Sequence, residues 1–181
     1  MSSQRVSMRL IRVIWIFLLV QAAGCAHKYA VPPPASGAVI PRNSQVLVVA
    51  SEDGRDERNA IYKGSGRSTA IALVAALRAR QVQAEVQLEP LELGPALEAG
   101  RSARADFLVL PVIRSWSDRL TEWSGIPDRI TIRIRMVEVA SGQVRDDRDV
   151  RASSRWATLG GDHPQDLLPT LSEQWAAGVV P

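Results

Sequence analysis

Cysteine is almost missing from this chain of 181 residues: Cys25 stands alone, so no intrachain disulfide can form. Histidine is nearly as scarce, with only His27 and His163. A zinc site built from several Cys and His side chains is therefore excluded. No acidic residue occurs before Cys25. The longest apolar run there, Val13-Ile14-Trp15-Ile16-Phe17-Leu18-Leu19-Val20, is far short of the ~20 residues that a membrane-spanning helix needs. Lysine is limited to Lys28 and Lys63 among 22 basic residues, so arginine carries the positive charge. Aromatics make up 5% of the chain, and tryptophan, with five copies, outnumbers tyrosine and phenylalanine together.

What is present at the N-terminus follows a recognisable order. Arg5, Arg9 and Arg12 precede the apolar run, and the small residues Ala22-Ala23-Gly24 follow it directly before Cys25. A basic stretch, a short apolar stretch and a small-residue cleavage site together describe a secretory signal, whether translation starts at Met1 or at Met8. Ala-Ala-Gly-Cys resembles the lipobox read by bacterial lipoprotein-processing enzymes, with Ala22 departing from the usual leucine. The resemblance implies that Cys25 becomes the lipid-bearing first residue of the mature protein. Three acyl chains on one cysteine, at about 0.8 kcal/mol per buried CH₂, make a stable anchor. Ala26, rather than aspartate, follows the cysteine, which by resemblance to sorting in two-membrane bacteria implies the outer membrane.

Loss of Arg5, Arg9 and Arg12 with the signal leaves 19 basic against 19 acidic residues, so the precursor's net charge of +3 is no argument for nucleic-acid binding. The expected organisation is a signal peptide over residues 1–24, a lipidated Pro-rich tether over 25–44, and one periplasmic α/β domain over 45–181. Val31-Pro32-Pro33-Pro34 favours polyproline II and underlies the tether reading.

Within the domain, Val46–Ala50 is a continuous apolar run that predicts a strand buried on both faces. Ile71, Val74 and Leu77 have helical spacing, with Ser68 as the expected N-cap. Strands are expected near 84–88 and 106–113, with a helix from Pro95 between them. Ile130, Ile132, Ile134 and Met136 alternate with Thr131, Arg133 and Arg135, the period-two pattern of a strand with one solvated face. The turn at 140–143 and Val144–Ser154 complete a hairpin, and a last helix begins near Pro164. The order β-α-β-α-β-β-β-α predicts an α/β fold, a mixed sheet with helices packed on it.

Gly64-Ser65-Gly66-Arg67-Ser68-Thr69 stands between a strand and a helix and invites a phosphate-loop reading. The lysine expected before Ser/Thr is missing, however, and Lys63 precedes the glycines instead. His163 is accompanied by Asp162 and Asp166, but no Gly-x-Ser-x-Gly elbow supports a catalytic triad, and Asp162 suits a helix cap. The densest cluster runs from Trp116 through Asp118, Arg119, Glu122 and Trp123 to Arg129. Tryptophan and arginine are the types enriched at binding hot spots. The same types also build self-contained corners, in which Arg–carboxylate pairs and a tryptophan lid fix a loop. Both readings stand.

Trp116-Ser-Asp118-Arg119-Leu-Thr121-Glu122-Trp123-Ser124-Gly125, Asp128-Arg129, and the stretch Ser154 to Leu168 resemble the bacterial lipoproteins grouped as domain of unknown function 4823. The resemblance implies an envelope lipoprotein and supplies no catalytic residues. The element order also resembles small periplasmic α/β domains of envelope proteins, among them activators of peptidoglycan synthases and the N-terminal domain of the Tol-system translocation protein. Fold analogy of this kind does not transfer function. The expectation is an outer-membrane-anchored, periplasm-facing, non-enzymatic binding or adaptor domain. Its expected contacts are the membrane through Cys25 and an envelope protein partner, with neither cofactor nor nucleic acid. The rival expectation is a small-ligand or nucleotide-binding periplasmic protein using Gly64–Thr69.

Overall fold

A computed structural model describes residues 27–35, 37–118, 127–154 and 163–181. Six strands form one sheet: β1 (Lys28–Ala30), β2 (Gln45–Val49), β3 (Gln83–Gln87), β4 (Phe107–Ser117), β5 (Arg129–Glu138) and β6 (Val144–Ser153). The helices are α1 (Ser65–Arg78), α2 (Leu93–Ser102) and α3 (Leu168–Val179), the last entered through a 3₁₀ turn at Pro164–Leu167. The strand order is β1-β6-β5-β4-β2-β3, with β2 parallel to both β3 and β4 and every other pair antiparallel. The fold is the expected mixed-sheet α/β arrangement, with one strand added at its N-terminal edge.

Each β2 residue from Val46 to Val49 is buried, because helices cover both faces of this strand. Val46 and Val48 point to the layer made by α1 and α3, alongside Leu73, Leu77, Leu171 and Trp175. Leu47 and Val49 point to a smaller cluster under α2 with Ala96 and Leu108. The crossovers leave β2 and β3 in opposite directions across the sheet, so the preferred right-handed connection sends α1 and α2 to opposite faces. Helix α1 begins at Ser65 rather than after Ser68. Gly64, at φ +85°, provides the left-handed bend at its start.

Because α2 packs on β2, β4 and only the Val137 end of β5, the outer face of β5 around Arg133 is left more open. Ile130, Ile132, Ile134 and Met136 are buried against the α1/α3 layer, while Arg133 and Arg135 lie on the open side. There Arg133 holds Asp147 with two hydrogen bonds of 2.5 Å, and Arg135 adds a third of 3.3 Å. The Arg133 hydrogen bonds, and then the charges of Arg133 and Arg135, hold the Asp147 carboxyl below its usual range against an opposing effect of burial. A depressed carboxylate pKa contributes stability that is complete above the unfolded value, about 3.9, and disappears as pH falls through the folded value. The melting-temperature gap between wild type and Asp147→Asn is therefore expected to be full at pH 7 and to shrink as the pH falls below about 4. Melting curves at pH 7, 4 and 3 test this, and a gap undiminished at the lowest pH would refute it.

The segment expected to be a tether is attached to the domain from residue 28 onward. β1 pairs antiparallel with β6, Lys28 facing Ser153 and Ala30 facing Arg151. Ala38 and Ile40 are buried in the core, and the Ile40 N–H donates to Val179 O at 2.7 Å. Between these points the chain is held by a buried ion pair, Arg148 Nε to Asp146 at 2.9 Å. Arg148 Nη1 donates to Pro32 O, and the Ala35 N–H donates to Asp146 Oδ1 at 3.1 Å. The polyproline reading says nothing of these attachments, which come from charges more than 110 residues away.

Candidate functional site

The residues singled out from the sequence separate in the structure. β4 runs through Ser117, four residues beyond the expected end of that strand, and carries Trp116 into the core at 1% exposure. A bulge between Ile113 and Ser115 shifts the alternation and turns the indole to the α1/α3 side. The loop between β2 and α1 lies over it. A Cβ on Gly54 would stand 2.9 Å from Trp116 Cβ, and the Tyr62 ring lies 6.4 Å away at 37°. Trp116 thus follows the corner reading, and a buried indole offers no surface to a partner.

Asp118 and Arg129 converge on one end of the sheet, since Arg129 stands opposite Ser117 and Asp118 comes next. The Tyr62 hydroxyl donates to Asp118 O at 3.3 Å, and burial with the nearby Asp56 and Asp118 carboxylates pushes its phenol pKa up. His163 Nδ1 lies 3.7 Å from Asp118 Oδ2, an ion-pair distance too long for a hydrogen bond. The His163 backbone N–H donates to Asp166 at 3.0 Å, so Asp166 caps the 3₁₀ turn. Asp162 lies outside the described residues, as do Arg119, Glu122, Trp123 and Cys25.

The glycine loop ahead of α1 carries its own anion. Asp53 Oδ2 accepts the Gly64 N–H at 3.0 Å, and Oδ1 accepts the Gly66 N–H at 3.1 Å. A carboxylate therefore fills the position that a phosphate would take at this helix start. Ser65 Oγ accepts the Gly54 N–H at 2.8 Å and is likewise engaged within the fold. Asp53 was not apparent in the sequence because it lies eleven residues before Gly64, in a loop whose path only the structure gives.

A cleft of about 460 Å³ opens beside this loop, outside the carboxyl ends of β2 and β3, where their connections diverge to opposite faces. Glu52, Glu92, Leu110, Arg114, Arg133 and Arg135 are among its lining residues. Sequence reasoning missed it: the alternation of Arg133 and Arg135 signals only a solvated face, and α2 is needed to make that face a wall. Among the described residues no three His, Cys, Asp or Glu side chains are grouped to hold a metal ion. No helix among them is long and apolar enough to cross a membrane.

Comparison with known proteins places this geometry in context. The family model described as domain of unknown function (DUF4823) matches residues 38–179. No curated protein matches the sequence. The fold is shared with the PelC dodecamer from Paraburkholderia phytofirmans, at TM-score 0.64 and 15% identity over 85% of this chain and 98% of that one. It is also shared with protein XCC0632 from Xanthomonas campestris, a DUF330 protein, at TM-score 0.52 and 10% identity over 80% and 87% of the two chains. Lipoprotein GNA1162 from Neisseria meningitidis matches at TM-score 0.50 and 9% identity over 74% and 99%. At these identities the likeness concerns the fold alone.

Proposed function

The chain belongs to the family of the domain of unknown function DUF4823, and on that footing we propose that it is an outer-membrane lipoprotein, acylated at Cys25 and facing the periplasm, that serves the cell envelope as a non-enzymatic binding or adaptor domain. The observation that carries the reading is the N-terminal order of arginines, apolar run and Ala22-Ala23-Gly24-Cys25 directly ahead of a docked first strand. A lipoprotein of the same fold, GNA1162, supports it. The binding half draws on the arginine-lined cleft. The filled anion position at α1 turns weight away from a nucleotide ligand.

In-cell crosslinking with mass spectrometry, comparing wild type with Cys25→Ser, tests the proposal. The wild type is expected in the outer-membrane fraction with a discrete crosslinked partner. Cys25→Ser is expected to leave that fraction and lose the partner. Because PelC is a dodecamer, a second copy of this chain is one candidate, recognisable as multiples of the monomer mass. An unchanged membrane fraction for Cys25→Ser would refute the anchor. An unchanged set of crosslinks would refute an adaptor that works at the membrane.

A further inference from the structure

We propose that the end of the sheet formed by Lys28, Ser117, Arg129 and Ser153 rests against the lipid bilayer, turned there by an anchor with almost no slack. The inference rests on acylation of Cys25 and adds to it a membrane-facing surface.

The argument begins with where the docked chain starts. Only three peptide units separate the Cα atoms of Cys25 and Lys28, so these lie at most ~11 Å apart. The His27 side chain lies against that of Tyr29 in β1, with Nδ1 3.3 Å from the Tyr29 hydroxyl and the two rings edge-on at 6.3 Å. From Lys28 the register runs straight across the sheet: Lys28 faces Ser153, Ser153 faces Arg129, and Arg129 faces Ser117. β1 and β5 start at this end, and β6 and β4 finish there. At ~4.8 Å per strand, Arg129 is about 10 Å sideways from Lys28, and Ser117 about 14 Å. The other end of the sheet is much farther from the anchor. β5 spans Arg129 to Glu138, close to 30 Å at ~3.3 Å per residue, and the β5–β6 turn with Ser141 lies beyond it.

Slack cannot be recovered from downstream. Peeling β1 away would next meet Pro32 O on Arg148 and the Ala35 N–H on Asp146, both held by a buried pair, and then the fully buried Ile40. The anchor therefore sets the domain's orientation as well as its location. Exposed Lys28 and Arg129 meet the lipid headgroups, while the β5–β6 turn faces away from the membrane.

The test uses full-length protein purified from membranes and reconstituted into phosphatidylethanolamine/phosphatidylglycerol vesicles with nitroxide-headgroup lipid. Cys25, once acylated, does not react with thiol reagents, so bimane can be placed on Arg129→Cys or on Ser141→Cys alone. Mass spectrometry of the N-terminal peptide is read first. With an acylated peptide, bimane at 129 is expected to be quenched at least threefold more than at 141. Equal or reversed quenching on acylated protein overturns the orientation and leaves the anchor intact. An unacylated peptide overturns the anchor, and the orientation with it. Should Arg129→Cys fail to fold, Arg151→Cys, exposed and facing Ala30 across the edge pair, replaces it. Insertion of twelve Gly/Ser residues between Ala26 and His27 gives about 20 Å of reach. It is expected to bring the two positions within twofold of each other, and an undiminished difference overturns the role of the short anchor.

Discussion

Replacing Gly66 with alanine is expected to lower the melting temperature by about 10 °C, while Gly94→Ala is expected to leave it unchanged or slightly raised. A Cβ on Gly66 would lie 2.0 Å from Ser51 O and 2.9 Å from Ser51 C, both backbone atoms in the chain leaving β2. No rotamer change relieves that overlap, so either α1 or residues 51–53 must move. Movement of either separates the Gly64 and Gly66 N–H groups from the Asp53 carboxylate. A core overlap combined with lost cap bonds costs about 4 kcal/mol, and in a chain of this size each kcal/mol lowers the melting temperature by roughly 2–4 °C. Gly94 is the internal control. Its added Cβ meets nothing within 4 Å, and alanine is the better helix former. Thermal unfolding of the two variants side by side checks the result, and equal shifts would show that the close approach to Ser51 is unimportant. Any phosphate-binding assay on a Gly66 variant would also report this packing defect.

Arg148→Ala is expected to cost about 3–5 kcal/mol, because it leaves the Asp146 carboxylate buried without its partner. Arg148 is 9% exposed and Asp146 2%. Burial pulls the guanidinium pKa down and Asp146 opposes the shift, yet an arginine remains charged. Its Nη2 lies 3.4 Å from where a Cβ on Gly178 would stand, so the side chain lies between the N-terminal segment and α3. Replacing both charges, as Asp146→Leu with Arg148→Met, should recover much of the loss, since well-packed apolar residues often match a buried ion pair. Two measurements separate this from a general core defect. Denaturant unfolding gives the energy, and limited proteolysis should cut Arg148→Ala selectively between residues 28 and 40. A global loss of protection with no preference for that segment would place the role of Arg148 elsewhere.

The sequence was most informative where apolar residues repeat with the period of one element. Val46–Val49 and Ile130–Met136 located β2 and β5, because burial of a face leaves its imprint along the run. The Ile71–Leu77 spacing located α1 through Val74 and Leu77, while Ile71 itself lies outside the buried face. The failures have different physical origins. β1 is three residues long and depends on pairing with β6, so it has no period of its own. Val144–Ser153 alternates charges, and two of them, Asp146 and Arg148, point into the protein to meet a segment far away in sequence; composition cannot distinguish them from Asp147 and Arg151 outside. Trp116 was legible as a notable residue, but its burial follows from a bulge that no residue type announces. The cleft was invisible because it lies between elements, and its arginine wall differs from an ordinary solvated strand only once α2 is in place.

The pairing of Lys28 with Ser153 also fixes an order of events. The first strand cannot close until its partner, 125 positions later, has emerged, and a loop of that length makes this closure late and local structure early. Until then residues 28–30 have no partner strand, and on the proposed acylation of Cys25 the sequence Ala22–Cys25 would stay within reach of the processing enzymes. Completion of β6 would then dock the edge strand. On that proposal the edge strand acts as a clock, with maturation of the N-terminus coming before assembly of the domain.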